Sequence, residues 1–492
     1  MADLASYAAI IDAGSTASRV FIYGWQSDLT LGEPLHIQTA FPLNSAEKKS
    51  SEAPGGIQHH HDDMVRYLSP PLQAASSFLQ ARDVTNVPIF LLATGGMREG
   101  VPAKAQALIL QAAHGTMPIF SNAFNVGTWD TNTRVIPGSV EGLYGWVALN
   151  YGRGVEEQIS GLLELGGASM QITYKAPKTQ LALERVCLLS GEHRVYSETW
   201  DGFGADSTKR RMEAVMLAEA GLGTPIAGSN RTVVGNGDFS TCLRLAKAQL
   251  VDGLKTRNAI PAYLDIASFN KHFYGVSNYW YSFRFFAKWG AYDVHRAYDR
   301  KAFTDAVKGY CSSAWDDIPW VTEDVDRTSS YIVDRCVYAA WMLTLLHDDE
   351  YGFGLEMTQY DTWKGVFRFP TTTDLASRSS WTIGAAALIA RHGELRLCPK
   401  EETNTLPFQD GRSGPMGMVT TTITVHTTST VVTTPSLSPM SGVSVNSFTT
   451  ASMSCIILVL LGLVGYQRRC LSRAYAISMY APTMRYTDET NV

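Results

Sequence analysis

The sequence predicts an α/β fold made of two similar domains that face each other, and three observations carry that prediction. Near the N-terminus stands Ile10-Ile11-Asp12-Ala13-Gly14-Ser15-Thr16, echoed about 150 residues later by Leu162-Leu163-Glu164-Leu165-Gly166-Gly167-Ala168-Ser169. Each is an apolar strand, then an acid, one apolar residue, Gly and a small polar turn, and each re-enters a strand, over residues 20–23 and 170–174. Between and after these hairpins lie amphipathic helical stretches such as residues 64–79, which make the class α/β rather than all-β.

Composition sets the outer limits. Hydrophobic residues are 45% and charged residues 18% of the 492, the balance of a globular chain. Forty-one basic against 46 acidic residues leave a net charge of −5, so no surplus of positive charge exists to neutralise a nucleic-acid backbone. Mean hydropathy is −0.06, which argues against a polytopic membrane protein but leaves room for a single anchor.

The first hairpin tip, Gly14-Ser15-Thr16, combines small side chains with free backbone N–H groups and hydroxyls, a tip that can wrap a phosphate. Arg19 is near enough to add charge. Asp12, at the strand end, is placed to hold a hydrated divalent cation, since hard cations take oxygen ligands and Mg²⁺ tends to keep its waters. The second tip, Gly166-Gly167-Ala168-Ser169, completes a clamp from the opposite side, with Glu164 matching Asp12. Ser169 and Gln171 are short polar groups able to orient a water. Between the hairpins, an apolar strand over residues 89–93 runs into Thr94-Gly95-Gly96-Met97-Arg98, where a helix start would attract phosphate. A further helix is predicted from Gly138 to Tyr151, with Glu141 in its first turn, where the helix dipole would keep a carboxylate ionised as a general base requires.

Taken in order, DAGSTASR, ATGGMR, PGSVEGLYGWVALNY, LLELGGASMQI and Ser380-Trp381-Thr382-Ile383-Gly384 resemble the five apyrase regions of the GDA/CD39 nucleotidases, the nucleoside triphosphate diphosphohydrolases. The resemblance spans about residues 8–390. Gly275-Val276-Ser277-Asn278-Tyr279-Trp280-Tyr281, Cys336 with Trp341, and Thr199-Trp200-Asp201-Gly202-Phe203-Gly204-Ala205 look most similar to the Golgi and lysosomal apyrase branch. The resemblance implies an actin-like fold of two RNase H-like lobes with the active site in the cleft. It implies Ca²⁺- or Mg²⁺-dependent hydrolysis of nucleoside di- and triphosphates. Glu141 matches the family's catalytic base, and Ser169 and Gln171 match the positions that orient the attacking water. Gly14, Ser15, Thr16, Arg19, Thr94, Gly95, Gly166, Gly167 and Ala168 fall in the phosphate loops, Asp12 and Glu164 match the acids of the hydrated metal site, and Trp381 is expected to pack under the phosphate site. Glu164 stands where the family usually has Asp, Asn278 where Glu is expected and Asp206 where Asn is frequent.

These motifs divide the chain into a first lobe over residues 1–150, completed by 378–400, and a second lobe over 151–377. Beyond residue 400 the composition changes. Thr and Ser make up 17 of the 32 residues from 419 to 450, with no charged side chain, so 401–447 reads as an extended Ser/Thr-rich stalk. Residues 448–466 form an uncharged stretch of 19, close to the length of a transmembrane helix, and Arg468, Arg469 and Arg473 follow it. That positive flank puts the tail, 467–492, in the cytoplasm and the large domain in a lumen, a reading to which the sequon Asn230-Arg231-Thr232 adds weak support. The first residues show neither a basic n-region nor a long apolar segment of a secretory signal, so the alternative, a lone anchor near the C-terminus that inserts late and leaves the large domain in the cytosol, stays open. Five cysteines precede residue 400, namely Cys187, Cys242, Cys311, Cys336 and Cys398; they are compatible with two disulfides and one thiol, and equally with buried thiols.

Two features read as structure rather than chemistry. His59-His60-His61 cannot all face one ion in a regular element, so a solvated loop is expected. The aromatic run from Tyr279 to Phe286 reads as core. The competing functions are a polyphosphate or guanosine-polyphosphate phosphatase, and a nucleotide-binding interaction protein with little turnover.

Overall fold

The computed structural model describes residues 6–26, 37–41, 55–152, 159–176, 183–219, 237–257, 273–290, 298–313, 332, 334–348, 350–353, 367–368 and 380–398. Both sheets belong to one compact unit, residues 1–224 with 233–400. The expected stalk, apolar segment and tail, and the sequon at 230–232, lie outside the described residues. Among the described residues no helix is long and apolar enough to cross a membrane.

In the first half, the chain runs β1 (Ser6–Ala13), β2 (Ser18–Trp25), β3 (Gln38–Phe41), α1 (Met64–Gln80), β4 (Val87–Ala93), the single turn α2 (Gly95–Arg98), α3 (Ala103–Thr116), β5 (Phe124–Asn125), α4 (Trp129–Asn132), β6 (Thr133–Val135) and α5 (Gly138–Asn150). The second half continues with β7 (Gly161–Leu165), β8 (Ser169–Lys175), β9 (Glu184–Leu188), β10 (Gly191–Asp201), α6 (Ala205–Glu219), α7 (Phe239–Arg257), β11 (Phe273–Ser277), α8 (Asn278–Trp289), α9 (Arg300–Ser312), α10 (Arg335–His347), β12 (Phe367–Arg368) and α11 (Trp381–His392).

The internal repeat extends beyond the hairpins to the whole sheet. In the first sheet β3 and β2 run antiparallel, β2 and β1 antiparallel, and β4 parallel to β1, with β6 parallel to β4. In the second, β10, β8, β7, β11 and β12 repeat that order with the same senses. Register matches too: Asp12 faces Arg19 across the first hairpin, and Glu164 faces Gln171 across the second. Each tip closes with the same bond, Gly14 N to Ala17 O at 3.1 Å and Gly166 N to Ser169 O at 2.9 Å.

Strand alternation assigns each sheet two cores. Ile11, Ile22, Ile89 and Leu91 pack beneath Leu68 and Leu72 of α1, whereas Ile10, Tyr23 and Leu92 share a second core with Trp146 of α5 and Ile383 of α11. Leu162, Val195 and Val276 of the second sheet join that same core. Leu163, Ile172 and Phe273 turn the other way, onto Leu245, Phe283, Phe303 and Trp341 of the outer helices. Helices α5 and α11 therefore fill the layer between the sheets. This explains why α5 is apolar on nearly every side, as an enclosed helix must be. Their approach is close enough that a Cβ on Gly384 would lie 1.8 Å from the Tyr144 carbonyl oxygen. Only glycine permits that crossing.

Two disulfides form among the described residues, Cys187–Cys398 and Cys311–Cys336, leaving Cys242 as a half-buried thiol. The first pins the chain after α11 to β9, reinforced by Cys187 N donating to Leu397 O at 2.8 Å. On α8, Tyr279, Phe283 and Phe286 are buried as expected, Trp280 and Phe285 are partly buried, and Tyr281 is 57% exposed because it lies on the outer side of the helix. In the histidine run His59 and His61 are exposed as expected, and only His60 departs from that. His60 is only 7% exposed and stacks on Tyr67 with ring centroids 4.0 Å apart, while Asp63 bonds its Nδ1 at 3.0 Å. An aromatic neighbour and a local acid stabilise a buried imidazole that sequence spacing alone assigned to solvent.

Candidate active site

The hairpin tips, the Thr94–Arg98 turn and the first turn of α5 converge at one place. A Cβ on Gly167 would sit 2.7 Å from Ser15 Oγ and 2.5 Å from Asp206 Oδ2, so the two glycine tips face each other at near contact. One on Gly95 would meet Ser169 Oγ at 2.9 Å and the Ala168 Cβ at 3.1 Å, so the third segment closes against the second tip. Thr94, buried, anchors its turn to the first hairpin by donating its backbone N–H to Ala13 O at 3.2 Å. Ala205 N and Asp206 N of α6 donate to Gly166 O and Gly167 O, fixing the second tip from behind. Of Ser15 and Thr16 in the first tip, Ser15 is further held by Gln58 Nε2 donating to its carbonyl at 2.8 Å.

Arg98 is the hub. Its Nη2 donates to Glu141 Oε2 at 3.0 Å and to Ser169 Oγ at 3.1 Å, its Nε to Asp201 Oδ1 at 2.9 Å, and its Nη1 to Ile136 O at 2.9 Å. Gln171 Nε2 also donates to Ser169 Oγ, at 2.9 Å. A hydroxyl whose oxygen accepts two N–H donors keeps its own O–H to give away. Gln171 Oε1 is buried and accepts no bond from the described residues, an orphan acceptor beside that hydroxyl. Glu141 and Ser169, assigned to different loops in the sequence, are thus joined by one guanidinium.

Three carboxylates of the site, Asp12, Glu141 and Glu164, are unusual acids. Burial lifts the Asp12 carboxyl to about 6 against the pull of Arg19, whose Nη1 lies 3.8 Å from Asp12 Oδ2. Burial also raises Glu141, outweighing the charge and hydrogen bonds of Arg98. Glu164 is raised by burial first and by the Glu141 charge next; a hydrogen bond from Ser277 Oγ to its Oε1 at 3.1 Å opposes this. The helix dipole predicts an ionised Glu141, and here desolvation is the larger effect. The helix that starts after Thr94 is a single turn, Gly95–Arg98, and both of its glycines sit in close contact with the two tips: a Cβ on Gly96 would lie 2.5 Å from the Ser15 Cα.

Three buried acids, each raised chiefly by desolvation, and an orphaned buried oxygen, Glu164 Oε2, make a place whose charge a cation would balance. Among the described residues no group of three or more His, Cys, Asp or Glu is arranged to cage a metal directly. Two separate hard-oxygen carboxylates, Asp12 and Glu164, fit a cation that keeps most of its waters. Trp381 opens α11, 5% exposed, and stacks on Tyr144 with centroids 6.4 Å apart, one turn along α5 from Glu141. Its neighbour Thr382 bonds Tyr23 Oη at 2.7 Å, tying α11 to β2.

Sequence motifs include Arg98 without giving it a role, and they miss Asp201 and Ser277 as site residues entirely. The signal for Arg98 is its fixed place after Thr-Gly-Gly. Nothing local marks Asp201, which reaches the site only through the pairing of β10 with β8, where it stands opposite Ser169.

The GDA1/CD39 (nucleoside phosphatase) family profile matches residues 2–396. The chain is 26% identical over 426 residues to a nucleoside-triphosphatase, ntp-1, of Caenorhabditis elegans, covering 77% of this chain and 72% of that one. It is 28% identical over 454 residues to a Golgi apyrase of Schizosaccharomyces pombe, covering 80% and 77%. With a nucleoside-diphosphatase, mig-23, of Caenorhabditis elegans, identity is 25% over 461 residues, covering 80% and 78%.

Proposed function

Since this chain belongs to the GDA1/CD39 nucleoside phosphatase family and is a hydrolase of nucleoside phosphates, we propose that it removes the terminal phosphate of nucleoside di- and triphosphates with Glu141 as general base. The carrying observation is the Arg98 bridge, which sets Glu141 Oε2 and Ser169 Oγ on one nitrogen. Glu141 Oε1 accepts no bond from the described residues and takes the proton of the attacking water. Ser169 donates to that water's oxygen, and the orphan Oε1 of Gln171 accepts its second hydrogen. The water oxygen bonds to the terminal phosphorus, the bridging P–O bond breaks, and the electron pair leaves with the shortened nucleotide. The tips, through Gly14, Ser15, Thr16, Gly167 and Ala168, with Arg19 and Thr94, bind the phosphoryl oxygens from both sides. Phosphoryl transfer asks mainly for such positioning and charge neutralisation. Asp12 and Glu164 would hold a hydrated Ca²⁺ or Mg²⁺, which supplies charge neutralisation to the phosphates. The two lobes would move as those of an actin-like fold, with the site between them.

A luminal, membrane-anchored setting accompanies this reading. Its supports are the two disulfides, which persist in oxidising compartments, the apolar stretch 448–466 with arginines after it, and relatives that include a Golgi apyrase. There the enzyme would clear nucleoside diphosphates left by glycosyl transfer.

Phosphate release from ATP, ADP, UDP, GDP, AMP and long-chain polyphosphate, with Ca²⁺, Mg²⁺ or EDTA, tests the proposal beside Glu141→Ala. Cation-dependent release from di- or triphosphates but not AMP, lost in the variant, is the expected result. Release from polyphosphate in preference to nucleotides would favour the polyphosphatase reading. Nucleotide binding without release would favour a binding protein.

A further inference from the structure

Ser277 closes β11 with φ 57° and ψ −125°, the backbone of a position that glycine favours. Among the described residues only Asp83 and Asn86 share a positive φ without being glycine, and short Asx side chains tolerate it. Serine has no such excuse, so the conformation is held by its surroundings.

Strand parity says what the conformation achieves. Glu164 lies on the α5 side of the second sheet, where Oε2 is 3.6 Å from the place a Gly145 Cβ would occupy; its neighbours Leu163 and Leu165 face the outer helices. Val276, paired with Glu164, also joins the α5-side core. The next residue of a regular strand would turn away from it, with Leu165, its partner in register. Reversing φ at Ser277 brings its hydroxyl back, and Oγ donates to Glu164 Oε1 at 3.1 Å. Asn278 locks the turn by donating Nδ2 to Leu165 O at 3.0 Å. Glu164 Oε1 is thereby occupied, while Oε2, buried, accepts no bond from the described residues.

We propose that Ser277 is a positioning residue for the cation: its strained turn fixes the Glu164 side chain so that Oε2, not Oε1, is presented to a hydrated divalent ion. This rests on the cation role given to Glu164 above. The longer Glu side chain needs such a support, because its additional torsion multiplies the places its carboxylate can point.

The test is Ser277→Gly in the full-length protein, followed by thermal unfolding with CaCl₂ or MgCl₂ alone. Glycine relieves the backbone and removes the hydroxyl. Tm without cation should rise, while the cation concentration giving half of the Tm gain should increase about 10–100-fold, the usual penalty for losing a group that orients a metal-binding side chain. In a Glu164→Gln background the cation part of the effect should vanish, since the residue it acts through is gone. An unchanged cation titration, or an equal shift in the Gln background, would make Ser277 a turn former only. If the wild-type protein shows no cation-dependent gain in Tm, the cation reading falls and this role with it. Absence of phosphate release from a wild-type protein that still shows the cation-dependent gain in Tm would instead fault the catalytic reading alone.

Discussion

Arg98 Nη2 lies 3.0 Å from Glu141 Oε2, a contact between a single-turn helix and the first turn of the central helix, with side chains 11% and 9% exposed. Removing one partner of such a buried pair leaves the other charge uncompensated, at a cost of about 3–5 kcal/mol. Without Arg98 the Glu141 carboxyl would be pushed up further, since the guanidinium is the main influence opposing burial. Arg98→Gln should therefore lower kcat/KM about 10²-fold or more and shift the acid limb of its pH profile to higher pH. Steady-state rates across pH 5–9 check this. A drop in rate with an unmoved limb would reduce Arg98 to a phosphate contact.

Glu141→Gln keeps the side chain's shape and deletes its proton acceptor. Loss of a general base is worth about 10²–10⁴-fold in kcat, and nucleotide binding should persist because the tips are untouched. Single-turnover phosphate release beside equilibrium nucleotide titration separates the two. Equal losses of binding and turnover would mean that Glu141 holds the site together rather than accepting a proton.

The hairpins are legible in the sequence because a strand ending in an acid and a glycine turn is a local pattern, stated twice. Glu141, Ser169 and Gln171 are legible for the same reason, each belonging to a contiguous motif. What joins them is not. Arg98 reaches Asp201 across 103 positions and Glu141 across 43, separations that no spacing rule covers. The strain at Ser277 is invisible because serine carries no signature of a positive φ, as glycine would. The burial that raises the Glu141 carboxyl is not legible in the sequence, because a helix dipole can be read from position, whereas burial depends on α11 and both sheets closing around α5.

Asp12 gives a pH test free of catalysis. Its native carboxyl titrates near 6 against 3.8 in an unperturbed chain, so the folded state holds a proton that the unfolded state has released between those values. Stability from this group is full below about pH 4 and is lost as pH rises through 6. Asp12→Asn, uncharged throughout, should match the wild type near pH 4 and exceed it at pH 7 by on the order of 3 kcal/mol, since each pH unit between the two values is worth about 1.4 kcal/mol. Urea midpoints in EDTA at both pH values decide it. A variant less stable at pH 7 would show that the Arg19 pairing outweighs burial.

The two disulfides should not be worth the same. Cys187–Cys398 spans 211 residues and Cys311–Cys336 spans 25, so chain-entropy arguments assign about 5 and about 3.5 kcal/mol to them. Position adds to the difference. The longer ring secures the chain after α11, and α11 is the helix that crosses α5 through Gly384 against Tyr144, one turn from Glu141. Opening that ring with Cys187→Ser and Cys398→Ser should lower the unfolding midpoint more than Cys311→Ser with Cys336→Ser. It should also reduce kcat below the midpoint of unfolding, because α5 loses the neighbour that fixes its pitch. The shorter ring ties α9 to α10 within the outer core and should leave kcat unchanged in folded protein. Denaturant unfolding and turnover of the two paired-serine variants, under non-reducing conditions, measure both effects; a larger loss of kcat on opening the shorter ring would reverse the assignment.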